Sequence, residues 1–288
     1  MAKQLAFDGT IVKKHNEFIR SKITISNTNA LRIFACLISQ IKTSDTKLKD
    51  EYSIDLKHVL PDDAGGKSYT AIKNACRELK NANTEVDDEE KKEFEISGLI
   101  NRISYKKGFI TAKFNPDMSK LLIGLKTHFT QYNLIEYCLL PSVYSKKIFE
   151  IIKSWQDKPE FTISLDKLHF YLDVPESFKN RYPDFRRYVL EKAHKNIHEF
   201  TSLKYEWEAV YKGRRVDSIR FVLSTPRIKQ VDTKKEKIEQ NKTSENNNKI
   251  FLMATECHEN NGKKKTCSKA DDSAKCKYCK NFLMSFGR

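Results

Sequence analysis

The sequence predicts an α+β fold in which one unit of helices and strands occurs twice. Three observations lead to this prediction. Similar helix and strand patterns recur about 110 residues apart, which indicates an internal repeat. Each copy ends in two alternating strand patterns around a glycine turn. The chain has 288 residues and 39% hydrophobic residues, which suits two domains with real cores.

Each copy begins with an apolar helical pattern, over Leu31–Ile38 in the first copy and Tyr144–Trp155 in the second. A short strand pattern follows in each, at Tyr52–Leu56 and Phe161–Leu165. Aromatic, Ile and Leu side chains alternate there with polar ones, which is the period of a strand. A short helix is expected after each strand, over residues 56–60 and 166–172.

A second amphipathic helix follows a turn-rich connection in each copy, over residues 68–79 and 184–198. Apolar residues recur at helical spacing in both, so that one face of each helix should point inward. The expected inward residues are Ile72, Cys76 and Leu79 in the first copy and Phe185, Val189, Ala193 and Ile197 in the second, with Leu190 beside them.

Each copy ends in a hairpin pattern, Ile103–Phe114 and Tyr205–Leu223. Helix, strand, helix, helix and hairpin is the order of a winged helix-turn-helix, whose last helix normally enters the major groove of DNA. The fold class is therefore α+β, a tandem duplication of winged helix-turn-helix domains. The acid-rich stretch Glu85–Glu95 inside the first copy is expected to be a solvated loop.

The predicted domains are residues 1–130, with a second DNA contact and a dimer contact, and residues 131–226, the main DNA-reading domain. Residues 227–249 contain few apolar residues and are expected to be a flexible linker. Residues 250–288 regain apolar residues around four cysteines and are expected to form a small Cys-rich module.

The net charge is +15, with 53 Lys and Arg against 38 Asp and Glu. Such an excess favours polyanionic partners, because each neutralised phosphate releases condensed counterions. A basic protein without a nucleic-acid role is the alternative. No apolar run is long enough to span a bilayer and the first residues lack a signal sequence, so a cytoplasmic location is expected.

The helix over residues 184–198 carries the sharpest basic pattern. Arg186 and Arg187 lie in its first turn, where a helix in the major groove contacts bases, and arginine bonds guanine at two atoms. A solvated basic face is the alternative. The residues expected to hold phosphates are Lys179, Arg181, Lys195, Lys212, Arg214 and Arg215, the last three at the tip of the second hairpin.

The first copy has a sparser set of cations at the equivalent places. Its expected DNA contacts are Lys67, Ser68, Lys73 and Arg77.

In the second copy, His194 and His198 stand four apart, a spacing that suits a metal. Lys195 occupies the position where a metalloprotease needs Glu, so two ordinary polar-face histidines are the preferred interpretation.

The end of the chain has the spacing of a zinc site. Cys276 and Cys279 form a Cys-x2-Cys pair, and Cys257 and Cys267 are the expected third and fourth ligands, with His258 as an alternative. A small segment after a flexible linker needs such a staple to fold. Reduced thiols and an iron–sulfur cluster are the alternatives. No other cofactor is expected.

Residues 144–223 resemble the replication initiators of iteron-containing, theta-replicating bacterial plasmids. The similarity is carried by the segments Ser145–Ile152, Phe161–Leu168, Tyr182–Leu190 and Lys212–Phe221, and extends weakly back to about residue 10. It implies two winged-helix domains placed head to tail on one DNA repeat, with helix 184–198 as the main base-reading element.

The resemblance also implies partners. Members of this family bind direct repeats at the origin as monomers, help to melt an AT-rich segment, and recruit the host initiator and the replicative helicase. As dimers, many repress their own gene, and the dimer contact involves the first domain, here the region Tyr105–Phe114. The family gives no role for the Cys-rich tail.

Two other functions compete with a non-enzymatic initiator. A transcriptional regulator would use the same chemistry, although two non-identical copies favour an asymmetric site over a simple palindrome. An enzyme that nicks or primes DNA, with the tail as its zinc finger, would need a catalytic tyrosine or acidic cluster near a metal, and no such motif stands out.

Overall fold

The computed structural model describes residues 11–55, 66–88 and 91–223. The short helix expected over residues 56–60, the linker over 227–249 and the Cys-rich module over 250–288 lie outside the described residues. Among the described helices, none has both the length and the apolar content needed to cross a bilayer.

The described elements are numbered in chain order. The strands are β1 Ile11–His15, β2 Lys22–Ile23, β3 Tyr52–Asp55, β4 Asn83–Asp88, β5 Glu93–Gly98, β6 Ile100–Lys106, β7 Phe109–Phe114, β8 Phe129–Asn133, β9 Glu160–Ser164, β10 Tyr205–Lys212 and β11 Arg215–Leu223. The α-helices are α1 Asn16–Ile19, α2 Thr28–Ile38, α3 Gly66–Asn81, α4 Ser119–Leu122, α5 Leu134–Leu139, α6 Val143–Lys153, α7 Leu165–Leu172, α8 Glu176–Lys179, α9 Tyr182–Phe185 and α10 Lys192–Phe200. A 3-10 turn at Pro116–Met118 precedes α4, and a π-turn at Arg186–Glu191 joins α9 to α10.

The described elements of the first unit follow the predicted winged-helix order, with β4 and β5 between α3 and the hairpin of β6 and β7. Helix α2 begins where the Asn27 side chain accepts hydrogen bonds from the backbone N–H groups of Asn29 and Ala30, which satisfies two donors of the first turn. Strand β3 pairs antiparallel with β7, the second strand of the hairpin, so that β7 is central in a sheet of order β3-β7-β6.

The second unit repeats this topology. Ser142 caps α6 by accepting from the backbone N–H of Ser145, and Ser164 caps α7 by accepting from Lys167. Strand β9 pairs antiparallel with β11, again the second strand of the hairpin, in a sheet of order β10-β11-β9. The predicted tandem winged-helix architecture is confirmed.

Helix α6 packs against both units. Lys14 of β1 places its Nζ 2.6 Å from Glu150 Oε1 on α6, and both side chains are buried. Lys147, also buried, donates from Nζ to the carbonyl oxygens of Ile23 in the first unit at 2.8 Å and Leu172 in the second at 3.0 Å. Polar contacts to one helix therefore fix the second unit against the first.

The expectation of a solvated loop at Glu85–Glu95 is wrong. These residues contribute to β4 and β5, a hairpin that joins β2 in a sheet of order β2-β4-β5. Thr84 is buried and hydrogen-bonds the Ser21 hydroxyl at 2.6 Å, which anchors β4. Val86, Phe94 and Ile96 supply the strand period that the surrounding acids obscure.

Candidate nucleic-acid interface

The predicted reading element of the second unit is one continuous helical segment over residues 182–200, here called the recognition helix. It begins with Pro183 in its first turn, where the missing N–H of proline costs nothing. The predicted inward stripe is confirmed, since Phe185, Val189, Ala193 and Ile197 are all buried. Asn196 donates to the Ser145 hydroxyl at 2.9 Å and ties the helix to α6.

The recognition helix contains a feature that the sequence did not predict. A π-turn over Arg186–Glu191 lies between its two α-helical segments. Residues five apart lie close together in a π-turn, and Arg186 Nε donates to Glu191 Oε1 at 2.8 Å. The guanidinium of Arg186 is therefore held along the helix by a carboxylate, while both side chains stay about half exposed.

Arg187 is exposed on the same segment and has no carboxylate partner among the described residues. Its guanidinium carbon lies 5.5 Å from the ring centre of the neighbouring Tyr188. That ring is itself half exposed and stacks on Phe178 of α8 at 6.1 Å. Arg187 is thus the more available of the two arginines for a base edge.

The other expected phosphate-binding cations of this region differ in their pairing. Lys179 contacts Glu176 at 2.6 Å and Arg181 contacts Asp184 at 3.2 Å, each on the exposed surface. Lys195 is exposed two turns beyond Arg187 and forms no ion pair with a described residue. Exposed pairs of this kind are weak, so a phosphate can compete for their cations.

The hairpin of β10 and β11 forms the wing of the second unit. Lys212 and Arg215 face each other across the turn, and Gly213 takes a positive φ of 66° that suits glycine. Lys212, Arg214 and Arg215 are exposed and form no ion pair with the part of the chain that the structure describes. The tip is a compact group of unneutralised cations.

The first unit presents Lys73 and Arg77 on α3, both exposed. They line a groove of about 320 Å³ between α3 and β6, together with Tyr69 and Tyr105, whose rings lie 6.0 Å apart. Lys67 and Ser68 fall in the first turn of α3, but their side chains are not among those that the structure describes.

Sequence reasoning missed the wing tip of the first unit. Lys106 and Lys107 are exposed between β6 and β7. Lys107 and Gly108 have φ values of 50° and 84°, the two positive angles of a tight hairpin turn. The internal repeat could have revealed this wing tip, because the turn occupies the same place in the first copy as Lys212 and Arg214 in the second.

The two histidines of the recognition helix are not independent polar-face residues. The rings of His194 and His198 lie 4.1 Å apart, are partly buried and pack on the Tyr205 ring. Each Nε2 lies within 3.0 Å of the Tyr205 carbonyl oxygen. Burial is the main cause that lowers the pKa of His198, and the neighbouring His194 lowers it further.

Two units of this topology in one chain, each with an exposed basic helix and a basic wing tip, define a tandem winged-helix protein of the nucleic-acid-binding kind. Comparison with known families identifies which one. Residues 11–153 match the family described as "Initiator Replication protein, WH1", and residues 164–223 match "Initiator Rep protein, WH2". The chain belongs to this family of initiator replication proteins, which confirms the resemblance carried by residues 144–223.

A curated relative is the "PI protein" of Escherichia coli, 29% identical over an alignment of 143 residues that covers 43% of this chain and 47% of that protein. The chain thus spans about half the length of the curated relative that it matches. Among solved structures, "Crystal structure of Pi initiator protein in complex with iteron DNA" aligns with a TM-score of 0.58 and 20% identity. The alignment covers 75% of this chain and 98% of that one, and shows a shared fold.

Proposed function

We propose that this protein is a non-enzymatic plasmid replication initiator that binds direct repeats at an origin in a sequence-specific way. The observation that supports this most is the pairing of two winged-helix units through α6, each with an exposed basic helix and a basic hairpin tip. A rigid pair of non-identical readers suits an asymmetric repeat better than a palindrome. The similarity to an initiator whose structure was solved with iteron DNA agrees with it.

The division of labour follows from exposure and charge. Arg186 and Arg187 read base edges in the major groove, because bidentate arginine distinguishes guanine from other bases. Phosphates position the protein through a second set of side chains: Lys179, Arg181, Lys195, Lys212, Arg214 and Arg215, with Lys67, Ser68, Lys73 and Arg77 in the first unit. Lys106 and Lys107 join this second set.

The domain limits in this proposal are residues 1–130 and 131–226, followed by the linker 227–249 and the module 250–288. In the module, Cys257, Cys267, Cys276 and Cys279 bind zinc, with His258 as the alternative ligand. The Cys-x2-Cys spacing of the last two supports a tetrahedral site. Native mass spectrometry of the wild type and of a variant with these four cysteines changed to serine tests this, since the variant is expected to carry one zinc fewer.

The remaining partners follow from the proposed role. The initiator melts an adjacent AT-rich segment and recruits the host initiator and the replicative helicase, all in the cytoplasm where plasmid DNA replicates. As a dimer formed through the region Tyr105–Phe114, it represses its own gene and so limits copy number. Exposed Tyr105 and Phe109 in that region support a contact between copies.

A replication assay tests the proposal in cells. A circular DNA with no other origin carries the region upstream of the gene, and the protein is supplied from a second, compatible plasmid. Maintenance of the circle is expected with the wild type and not with the Arg186→Ala/Arg187→Ala variant. Failure of the wild type to maintain the circle, with specific binding to the same DNA retained, would instead identify a transcriptional regulator.

A nicking or priming enzyme makes a different prediction. Incubation with supercoiled DNA and Mg²⁺ would then convert it to nicked circles or to primed products. We expect the supercoiled form to persist, because the proposed initiator acts by binding alone.

A further inference from the structure

A second group of chemically active side chains lies where the recognition helix meets the wing. His194 and His198 are four residues apart on α10, so both project from the same face of the helix. Glu206 follows the first residue of β10 and approaches the same place, with its Oε2 3.5 Å from His194 Nε2. The three ligand atoms all lie within 4.8 Å of one another.

The backbone of Tyr205 brings the two imidazole nitrogens to one place. Both Nε2 atoms converge on one acceptor, the Tyr205 carbonyl oxygen, at 3.0 Å from His194 and 2.8 Å from His198. The Tyr205 N–H also points at His198 Nε2, at 3.1 Å. His198 Nε2 can accept from that N–H while His194 Nε2 donates to the carbonyl oxygen, so contacts to one residue hold both rings with their Nε2 atoms turned toward the same place.

The electrostatic state of the cluster also suits a cation. A neutral imidazole has the free lone pair that metal binding requires. The Glu206 carboxylate supplies a negative charge beside the two rings. Lys204 lies nearby, but its Nζ donates to the carbonyl oxygens of His198 and Thr201.

We propose that His194, His198 and Glu206 bind one zinc ion. Two imidazoles and a carboxylate are a ligand set that zinc takes in proteins, with a fourth position left for water or a carbonyl oxygen. Zinc ligand atoms in a tetrahedron lie roughly 3.3–3.5 Å apart, given bonds of about 2.0–2.1 Å. The His194–Glu206 separation already has this value, and the His198 ligand atom lies within 4.8 Å of both.

The position gives the ion a structural role. It would join the last turns of the recognition helix to the first strand of the wing, across the connection formed by residues 201–204. Helix and wing are the two parts that approach DNA, so the ion would fix their relative placement. The site does not depend on the proposed initiator function, since it rests on three side chains and their geometry.

A calorimetric titration with zinc tests the site in the full chain. Because the terminal cysteines also attract zinc, the titrated protein carries Cys257→Ser, Cys267→Ser, Cys276→Ser and Cys279→Ser. We expect this protein to bind one equivalent, and His194→Gln or Glu206→Gln to weaken that binding by at least about 10–100-fold, the loss that removing an outer-shell partner of a metal ligand already causes. Unchanged affinity in both variants would overturn the proposal.

His15 and Glu17 provide a matched control. They also place an imidazole beside a carboxylate, at 3.7 Å, but no third ligand joins them within the part of the chain that the structure describes. His15→Gln should leave zinc binding unchanged, and a loss equal to that of His194→Gln would contradict the assignment. Histidine ring resonances give a second measurement that does not need a destabilised variant: zinc should shift those of His194 and His198 selectively, and shifts spread over other histidines would contradict the site.

Discussion

At the scale of residues, the ion pair between Arg186 and Glu191 decides how the recognition helix is presented. The π-turn brings the two side chains together, and the 2.8 Å hydrogen bond holds the guanidinium along the helix rather than outward. A base contact by Arg186 requires that this bond break. If Arg186 contacts bases as proposed, Glu191 competes with DNA for its guanidinium, whereas Arg187 has no carboxylate partner among the described residues.

Glu191→Gln should strengthen binding to cognate DNA, because it weakens the competitor and removes a negative charge from the interface. The gain expected from an exposed pair is about 0.2–1 kcal/mol, or up to roughly fivefold in Kd. Titration by fluorescence anisotropy measures it. In an Arg186→Ala background the gain should shrink, and an equal gain there would show that Arg186 is not the group being released.

His169 gives the fold a dependence on pH. Its ring is buried and packs edge-on against Phe185, the first inward residue of the recognition helix, at 4.5 Å. Burial lowers its pKa below the ordinary 6.5. At a pH between the two pKa values, the unfolded chain binds more protons than the folded chain. The contribution of the neutral ring to the free energy of unfolding is therefore complete above about pH 6.5, the unfolded value, and is lost as the pH falls through the lower folded pKa.

Urea unfolding at pH 7 and at pH 5 measures this effect. We expect a lower free energy of unfolding at pH 5 in the wild type, and a smaller pH effect in His169→Gln. His198 contributes in the same direction, since its pKa is also lowered. The exposed His128 serves as control, and a pH effect that disappears in His128→Gln but persists in His169→Gln would refute the assignment.

At the scale of elements, the helices and hairpins with a regular hydrophobic period were predictable. The π-turn and the hairpin of β4 and β5 were not, and each has a local cause. The stripe of Phe185, Val189, Ala193 and Ile197 identified the recognition helix, because four apolar residues at this spacing indicate an amphipathic helix with one buried face. The π-turn inside it rotates the exposed face by a fraction of a turn but does not change the spacing of that stripe, so the sequence pattern could not reveal it. The hairpin of β4 and β5 was missed because its acids outnumber the alternating Val86, Phe94 and Ile96.

The wing of the second unit should supply affinity without sequence preference. Arg214 lies at the exposed tip beside Gly213 and has no carboxylate partner within the described ranges. Arg214→Ala should weaken cognate and scrambled duplexes alike and reduce the slope of log K against log salt by about one. Titrations at several salt concentrations measure this. A loss confined to the cognate duplex would mean that Arg214 reads bases.

At the scale of the whole molecule, α6 unites the two units through buried charges. Lys14 and Glu150 are 136 residues apart in sequence and meet at 2.6 Å, and the Tyr132 hydroxyl also donates to Glu150. A sequence pattern places charged residues outside, so neither this pair nor the buried Lys147 could be predicted from it. The candidate site residues stand out in the sequence as a set of cations and remain a prediction, whereas their relative placement depends on these distant contacts.

Glu150→Ala should destabilise the protein by about 3–5 kcal/mol, because it leaves the Lys14 ammonium buried without its counter-charge. Since that pair bridges the units, thermal unfolding should also change from one transition to two. Differential scanning calorimetry measures both effects. Glu95→Ala, which removes a solvent-exposed pair with Lys120, should leave the melting profile unchanged. Equal losses in the two variants would contradict a special role for α6.

The most direct test of the account is a competition binding experiment with the DNA upstream of the gene. Wild type and the Arg186→Ala/Arg187→Ala variant are titrated at about 0.15 M salt against that duplex and a scrambled duplex of equal composition. The account predicts that the wild type prefers the upstream duplex by about a thousandfold and that the variant loses most of this preference while it still binds both duplexes. Equal binding of the wild type to both duplexes would contradict sequence-specific recognition by the recognition helix.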